Sequence, residues 1–384
     1  MTSIRPVGVL FGTRPEAIKL GPVILELRAR GVPTLVITTG QHREMVDQVL
    51  ELFDIHTDHD LRLMRHGAGL DELLSRAVVT IGEVLRQTRP AALVVQGDTT
   101  STLAAALAAF HAKVPVAHVE AGLRSGDMTL PFPEEMNRRV VSVIARWNFA
   151  PTQPAADNLL REGHHGHVEV TGNTVVDAVQ YITRAGGSDP APKPTATAPY
   201  ILATAHRRES WGAPIEQVAL GLGDILEQRP EISLIFATHP NPLARDPVNA
   251  VLGGHPRTQV VDALDYRTFL QLLQGAELAV SDSGGVQEEG PTLGVPVLVT
   301  RTLTERPEGL NAGAVRLVGT DRQAIRDEAL RLLGDPALRR EMAAAGRAVY
   351  GDGRAAGRIL DTLLRDLGEA SDDADAWQEP LQDA

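Results

Sequence analysis

The chain has no cysteine, which excludes disulfides, thiol nucleophiles and thiolate zinc sites. Aromatic residues make up only 4% of its 384 residues, and 37 basic against 49 acidic side chains leave a net charge of −12. That balance argues against nucleic acid as a bulk partner, so any anion site must be local. No apolar run approaches membrane-spanning length, and Met1-Thr2-Ser3-Ile4-Arg5 leads straight into a strand without a signal-peptide hydrophobic region. The expectation is a cytoplasmic chain with no membrane partner. Lysine is scarce as well: only Lys19, Lys113 and Lys193 occur among the 37 basic residues. An ammonium is a point charge that sits where a planar guanidinium fork does not, so Lys19, close to a glycine turn, stands out.

What is present is α/β alternation, too long for one core and enough for two ordinary domains. Its most organised stretch runs from Gly275 to Thr300 and reads as strand, glycine turn, helix, turn and strand. Leu278 to Val280 stop at Ser281-Asp282-Ser283-Gly284-Gly285, where two glycines free backbone N–H groups at a helix N-terminus. Gly294 ends the helix as a C′ glycine, and Pro296 to Val299 return as a buried strand. Glu289, riding on that helix, is a candidate acceptor for a ribose diol, as in dinucleotide folds. Turns of this type also occur where nothing binds.

Earlier in the chain, Val7 to Phe11 form a buried strand, and Gly12-Thr13-Arg14-Pro15-Glu16 turns it into a helix. Arg14 and Lys19 near one helix N-terminus suggest an anion between them, a second phosphate contact. Ala91 to Val95 form a strand ending at Gln96-Gly97-Asp98, and Val114 to Val119 a strand ending at Glu120. Pro131-Phe132-Pro133-Glu134-Glu135 opens a helix with a proline and early carboxylates. Asp98, Glu120 and Glu134 are thereby placed to converge on one cleft, a set suited to proton transfer. Asp98 as an N-cap and Glu135 as a helix-start carboxylate are equally ordinary readings. A proline-rich stretch from Ala185 to Pro194 reads as an interdomain linker. A second α/β alternation follows it, with His206 in the loop after its first strand as a general acid, an anion donor or a plain polar residue. Arg306 is able to grip phosphate bidentately. The acidic end, residues 372–384, reads as disordered.

Assembled in order, GTRPEAIKL, TGQHREM, QGDTTST, HVEAGLRSGD, PFPEEMNRR, TGNTVVDA, AHRRES, DSGGVQEEGPTLGVPVLV and TERPEG resemble the non-hydrolysing UDP-N-acetylglucosamine 2-epimerases over almost the whole chain. The resemblance implies two Rossmann-like domains in a glycosyltransferase-B type arrangement, with the active site in the interdomain cleft. They would span residues 1–172 with 357–371, and 173–356. It implies nucleotide or diphosphate contacts at Arg14, His206, Ser283, Gly284, Gly285, Glu289 and Arg306, with Phe269 beside the uracil. It implies catalytic roles for Lys19, Asp98, Glu120, Glu134 and His206, and no metal or cofactor. Gln41, Glu135 and Arg207 fit a second, activating UDP-sugar site of some bacterial members. Glu44 and Gly67 depart from that site's pattern, and Gln96 stands where some members carry histidine. A homodimer and a role in surface polysaccharide supply also come with the resemblance.

The implied partners are UDP-N-acetylglucosamine and UDP. The C2 hydrogen of the sugar has no adjacent carbonyl, so its removal must be coupled to loss of a stabilised leaving group, here UDP. The implied path runs through 2-acetamidoglucal, reprotonated on its other face before UDP re-adds. A UDP-sugar glycosyltransferase of the same architecture is the alternative, with a hydrolysing epimerase and a silent UDP-sugar sensor beyond it.

Overall fold

The computed structural model describes residues 5–40, 43–64, 67, 69–164, 166–184, 199–205, 207, 210–304 and 306–372. The chain divides into two compact units, Met1–Asp177 with Gly353–Ala384, and Ala178–Asp352. The stretch expected to be a linker lies outside the described residues.

The first unit is built on β1 (Val7–Phe11), β2 (Thr34–Thr38), β3 (His59–Asp60), β4 (Ala92–Gln96), β5 (Val116–Val119), β6 (Trp147–Ala150) and β7 (His167–Val170). They form one parallel sheet in the order β3-β2-β1-β4-β5-β6-β7. The helices between them are α1 (Arg14–Ala29), α2 (Arg43–Leu52), α3 (Leu70–Thr88), α4 (Thr100–His111), α5 (Glu134–Ile144) and α6 (Gln153–Arg161); α7 (Thr174–Arg184) follows β7 and runs past Asp177 into the second unit. Parallel strands covered on both faces need continuous apolar runs, and VGVLF, ALVVQ and VAHV are buried along their whole length. The alanine-rich α4 has no bulky side chain on most of its buried face, and Ala104, Ala105, Ala106, Ala108 and Ala109 pack into the cluster of Leu10, Ile81, Leu93 and Val95. Thr99 caps that helix by accepting the Thr102 amide at 3.1 Å.

In the second unit, β8 (Tyr200–Ala205), β9 (Ser233–Thr238), β10 (Thr258–Val261), β11 (Leu278–Ser281), β12 (Val297–Val299) and β13 (Val315–Leu317) form a parallel sheet ordered β10-β9-β8-β11-β12-β13. Its helices are α8 (Ala213–Gln228), α9 (Pro242–Leu252), α10 (Tyr266–Gly275), α11 (Val286–Leu293), α12 (Pro307–Asn311), α13 (Arg322–Gly334) and α14 (Pro336–Gly346). One face of the sheet packs Ile201, Ala203, Phe236 and Val280 against α8, α9 and α13, the other packs Leu202, Ile235 and Val297 against α10 and α11.

The last helix, α15 (Ala355–Asp372), packs on α1 of the first unit. Asp177 caps it, accepting the amides of Ala355 and Ala356 at 3.2 and 3.0 Å. Arg30 Nη1 reaches Asp361 at 2.6 Å, and the Trp147 indole N–H donates to Asp366 at 2.7 Å. The helix runs one residue into the stretch expected to be disordered, and residues 373–384 lie outside the described ones.

In both sheets the strand order reverses once, between β1 and β4 and between β8 and β11, while every pairing stays parallel. Ligands of open α/β sheets sit beyond the carboxyl ends of strands at such a switch point. The expected doubly wound α/β class is thus present twice, and both motif-rich strand exits lie at these two positions.

Candidate active site

At the switch point of the first unit, β1 leaves through Gly12 and Thr13 into α1. The anion seat expected here is filled by the chain itself. Glu16 Oε2 accepts the Gly12 and Thr13 amides at 2.9 and 2.6 Å, while Oε1 accepts the Thr99 and Thr102 hydroxyls, each at 2.7 Å. The carboxylate is 2% exposed. A phosphate on these amides would have to displace a charge that is already satisfied, which removes the helix-terminus argument for a second phosphate contact. The signal was legible: Thr13-x-x-Glu16 has the spacing of a capping box. Arg14 stands half-buried at the first position of α1.

Lys19 is directed to Glu120. Its ammonium is buried one and a half turns into α1 and lies 2.5 Å from Glu120 Oε2. Glu120 follows β5 with φ +62°, an uncommon left-handed conformation for a residue with a Cβ. The next turn requires a glycine: Gly122 has φ +89°, and a Cβ there would fall 2.1 Å from the Ala155 carbonyl oxygen.

Asp98 leaves the neighbouring strand, β4, and is held by Arg138 of α5. Arg138 Nε donates to Asp98 Oδ2 at 3.0 Å, Nη2 makes a still closer contact with the same oxygen, and Nη1 donates to Glu135 at 2.7 Å. Asn137 fixes the Asp98 backbone, its amide donating to the carbonyl at 2.9 Å. Asp98 is therefore not the cap of α4; Thr99 is. Helix α5 starts at Glu134, with Pro133 as its N-cap rather than a proline in its first turn. Glu134 is half-buried at the first helical position.

Glu135 is fully buried, accepting from the Ser125 amide at 3.0 Å, from Arg138 and from Arg139 at 3.0 Å. Burial by itself raises this carboxyl, but the Ser125 and Arg139 hydrogen bonds with Arg138 beside them bring it below the ordinary carboxylate range. Its bond to Ser125 braces the loop after β5 to α5, and its arginine contacts stay within the helix. A second pin joins that loop to α6: Arg124 grips Glu162 through Nε and Nη2 at 2.9 and 2.7 Å and lowers its carboxyl to about 2. Beneath the Asp98 turn, His118 is fully buried in β5 and its Nε2 bonds the Gly97 carbonyl at 2.7 Å. Burial pushes its imidazole down to about 4, so it stays neutral.

The second unit repeats the arrangement with glycine chemistry. β8 exits toward His206, which lies outside the described residues, as does Gln41 of the first unit. The next amide, Arg207 N–H, donates to the fully buried Asp282 at 3.0 Å and ties the exits of β8 and β11 together. Ser281 Oγ accepts the Ser283 amide at 2.9 Å and shapes the turn into α11. Gly284 lets Arg306 approach the turn closely: a Cβ there would lie 2.8 Å from Arg306 Nη1, and the guanidinium would have to move aside. Arg306 is oriented by Glu288, whose Oε1 accepts its Nε–H at 2.7 Å, leaving the Nη edge beside the glycine turn. Gln287 joins the two segments, donating to the Ser283 carbonyl at 3.3 Å and accepting from the Thr304 hydroxyl at 2.6 Å.

Glu289 lies next to Gly285, and the Tyr266 hydroxyl donates to its Oε1 at 2.8 Å. Phe269, one turn along α10, is half-buried against the Leu202, Leu273 and Val299 cluster. The structure thus gathers Ser283, Gly284, Gly285, Glu289 and Arg306 around one turn. Glu16, Arg138, His118, Glu288 and Tyr266 were not marked as functional by their sequence positions. Among the described residues, no group of three or more His, Cys, Asp and Glu is placed to hold a metal ion.

The profile of the UDP-N-acetylglucosamine 2-epimerase family matches residues 25–364. The chain belongs to that family. The UDP-N-acetylglucosamine 2-epimerase of Escherichia coli O157:H7 is 44% identical over 365 residues, covering 92% of this chain and 97% of its own. The Neisseria meningitidis UDP-GlcNAc 2-epimerase, solved bound to UDP-GlcNAc, superposes with a TM-score of 0.88 at 41% identity, over 94% of this chain and 100% of its own. A Methanocaldococcus jannaschii UDP-GlcNAc 2-epimerase, solved with UDP-GlcNAc and UDP, reaches 0.80 at 32% identity, over 94% and 99%. This epimerase chain therefore spans essentially the full length of its relatives.

Proposed function

We propose that this protein is the enzyme that interconverts UDP-N-acetylglucosamine and UDP-N-acetylmannosamine by inversion at C2. The observation that carries the reading is the full-length likeness to an epimerase solved with UDP-GlcNAc, in a chain that keeps a carboxylate at the exits of both β4 and β5. UDP-N-acetylglucosamine and UDP are the ligands, and no group beyond the chain's own side chains enters the proposed chemistry.

In this reading the second unit holds the nucleotide. The turn Ser283-Gly284-Gly285 and the Nη edge of Arg306 take the diphosphate, Glu289 takes a ribose hydroxyl while Tyr266 fixes its other lone pairs, and Phe269 flanks the base. His206 and Arg14 complete the diphosphate contacts. Those donors stabilise UDP as it departs with the C1–O bond electrons. A carboxylate removes the C2 proton, the C1–C2 double bond of 2-acetamidoglucal forms, and a proton delivered to the opposite face of C2 precedes return of UDP to C1. Asp98, Glu120, Glu134, Lys19 and His206 serve the two faces. Arg138 holds the Asp98 carboxylate, and Lys19 pairs with Glu120. Arg207, Glu135 and Gln41 are assigned to an effector UDP-sugar only through the family; Glu135 enters that role through Arg138 and Arg139 rather than by its own buried carboxylate.

The enzyme works as a cytoplasmic homodimer supplying a surface-polysaccharide precursor. Val79, Phe110 and Val143 support self-association, standing exposed on the adjacent helices α3, α4 and α5.

Proton NMR of UDP-N-acetylglucosamine incubated with the protein in deuterated water tests the reaction. The expected product is UDP-N-acetylmannosamine carrying deuterium at C2. Free N-acetylmannosamine would indicate hydrolysis, and an unchanged substrate spectrum from a UDP-binding protein would overturn the proposal.

A further inference from the structure

Glu120 Oε2 receives two donors from separate elements, Lys19 Nζ from α1 and Gln96 Nε2 from the last residue of β4, each at 2.5 Å. Glu120, Lys19 and Gln96 are all buried residues. Gln96 is itself anchored, since its carbonyl accepts the Thr102 hydroxyl at 2.8 Å. The two donors differ in what they tolerate. An ammonium favours only the ionised carboxylate. A primary amide has an N–H face and a C=O face: it donates to the carboxylate, and after a half-turn about its terminal bond it accepts from the carboxylic acid.

We infer that Gln96 is a positioning residue that holds Glu120 in one place in both of its protonation states. The inference rests on the reading that Glu120 exchanges a proton during epimerisation. A group that takes a proton in one half-reaction and returns it in the other changes charge each time; Lys19 opposes one of the two states and Gln96 accommodates both.

The test compares Gln96→Met, Gln96→Glu and Glu120→Gln with the wild type in steady-state kinetics, pH profiles and solvent deuterium incorporation at C2. Gln96→Met is expected to lower kcat by ten- to a hundredfold with the KM for UDP-N-acetylglucosamine within threefold, and to slow deuterium incorporation in parallel. Gln96→Glu changes one atom and almost no volume, so it reports even where the methionine variant fails to fold. It sets a second carboxylate on Glu120, and the pair must share a proton, moving the acidic limb of the kcat profile upward by about one pH unit or more. Wild-type kcat and an unmoved acidic limb in the Gln96 variants, with Glu120→Gln inactive, would overturn the role of Gln96 alone. An active Glu120→Gln would instead overturn the reading on which it rests.

Discussion

The carboxylate of Glu16 lies 2.6 Å from the Thr13 amide nitrogen, closing the N-terminus of α1 from within. Together with Gly12, Thr99 and Thr102 it makes a four-donor site around one buried charge. Replacing it by Gln removes the charge and turns one acceptor into a donor facing hydroxyls or amides. Glu16→Gln should lose about 2 kcal/mol of stability, the scale of charge-assisted hydrogen bonds left unmade. Urea denaturation reads this directly; an unchanged midpoint would mean that the carboxylate does not hold the β1 and β4 exits together.

His118 gives stability a pH dependence of known sign. The ordinary value is 6.5 and burial depresses the folded imidazole to about 4. Above 6.5 neither the folded nor the unfolded state is protonated here. As pH falls from 6.5 toward 4 the unfolded chain gains a proton that the fold refuses, so stability is lost across that window, by up to about 3 kcal/mol. Denaturant midpoints at pH 7 and pH 5 measure it. In His118→Gln, whose side-chain amide nitrogen takes the place of the Nε2 that bonds Gly97, the difference between those pH values should shrink.

Gly122 and Gly126 separate steric exclusion from backbone strain. Both have positive φ, +89° and +84°, but a Cβ at Gly122 would meet the Ala155 carbonyl at 2.1 Å while one at Gly126 meets nothing within 4 Å. Gly126→Ala should cost about 1 kcal/mol, and Gly122→Ala more than about 3 kcal/mol or the folded state itself. Equal thermal shifts in the two variants would show that the contact with Ala155 relaxes freely.

Asp98→Asn keeps the shape of the turn and removes the charge that Arg138 holds. Turnover should disappear, while UDP affinity stays within about tenfold, a difference of about 1.4 kcal/mol. Calorimetric titration with UDP distinguishes the cases: a much larger loss of binding would make Asp98 a ligand contact rather than a proton-transfer group.

Tyr266→Phe deletes the hydroxyl that fixes Glu289. UDP affinity should fall by about three- to tenfold, since about 1 kcal/mol attends one hydrogen bond, with little change in kcat at saturating substrate. A reduced kcat at unchanged affinity would detach Glu289 from the ribose.

Much of the fold could be read before any coordinates because VGVLF, ALVVQ and LAVS are apolar runs that stop at glycine, aspartate and serine, and each stop falls at a strand exit. The glycine turn before α11 and the Gly294 cap followed from the same local chemistry. Partnerships did not. Arg138 reads as one of two arginines on a polar helix, yet it reaches forty positions back to Asp98. Lys19 and Glu120 are 101 positions apart, and no spacing rule links them. Glu135 has the position of a surface dipole carboxylate and is instead wholly enclosed, because the loop after β5 folds over it. His118 occupies an ordinary place in a fully buried strand, and the bond to the Gly97 carbonyl makes it distinctive.

The Lys19–Glu120 pair has an analytical consequence. Amine-directed acylation needs a neutral, accessible ε-amine, and Lys19 offers neither while it is buried against the carboxylate. Lys113, by contrast, is exposed. In a chain with three lysines, peptide mapping after a timed pulse of reagent therefore gives an internal reference at Lys113 and, at Lys19, a covalent clock for how often this part of the first unit opens.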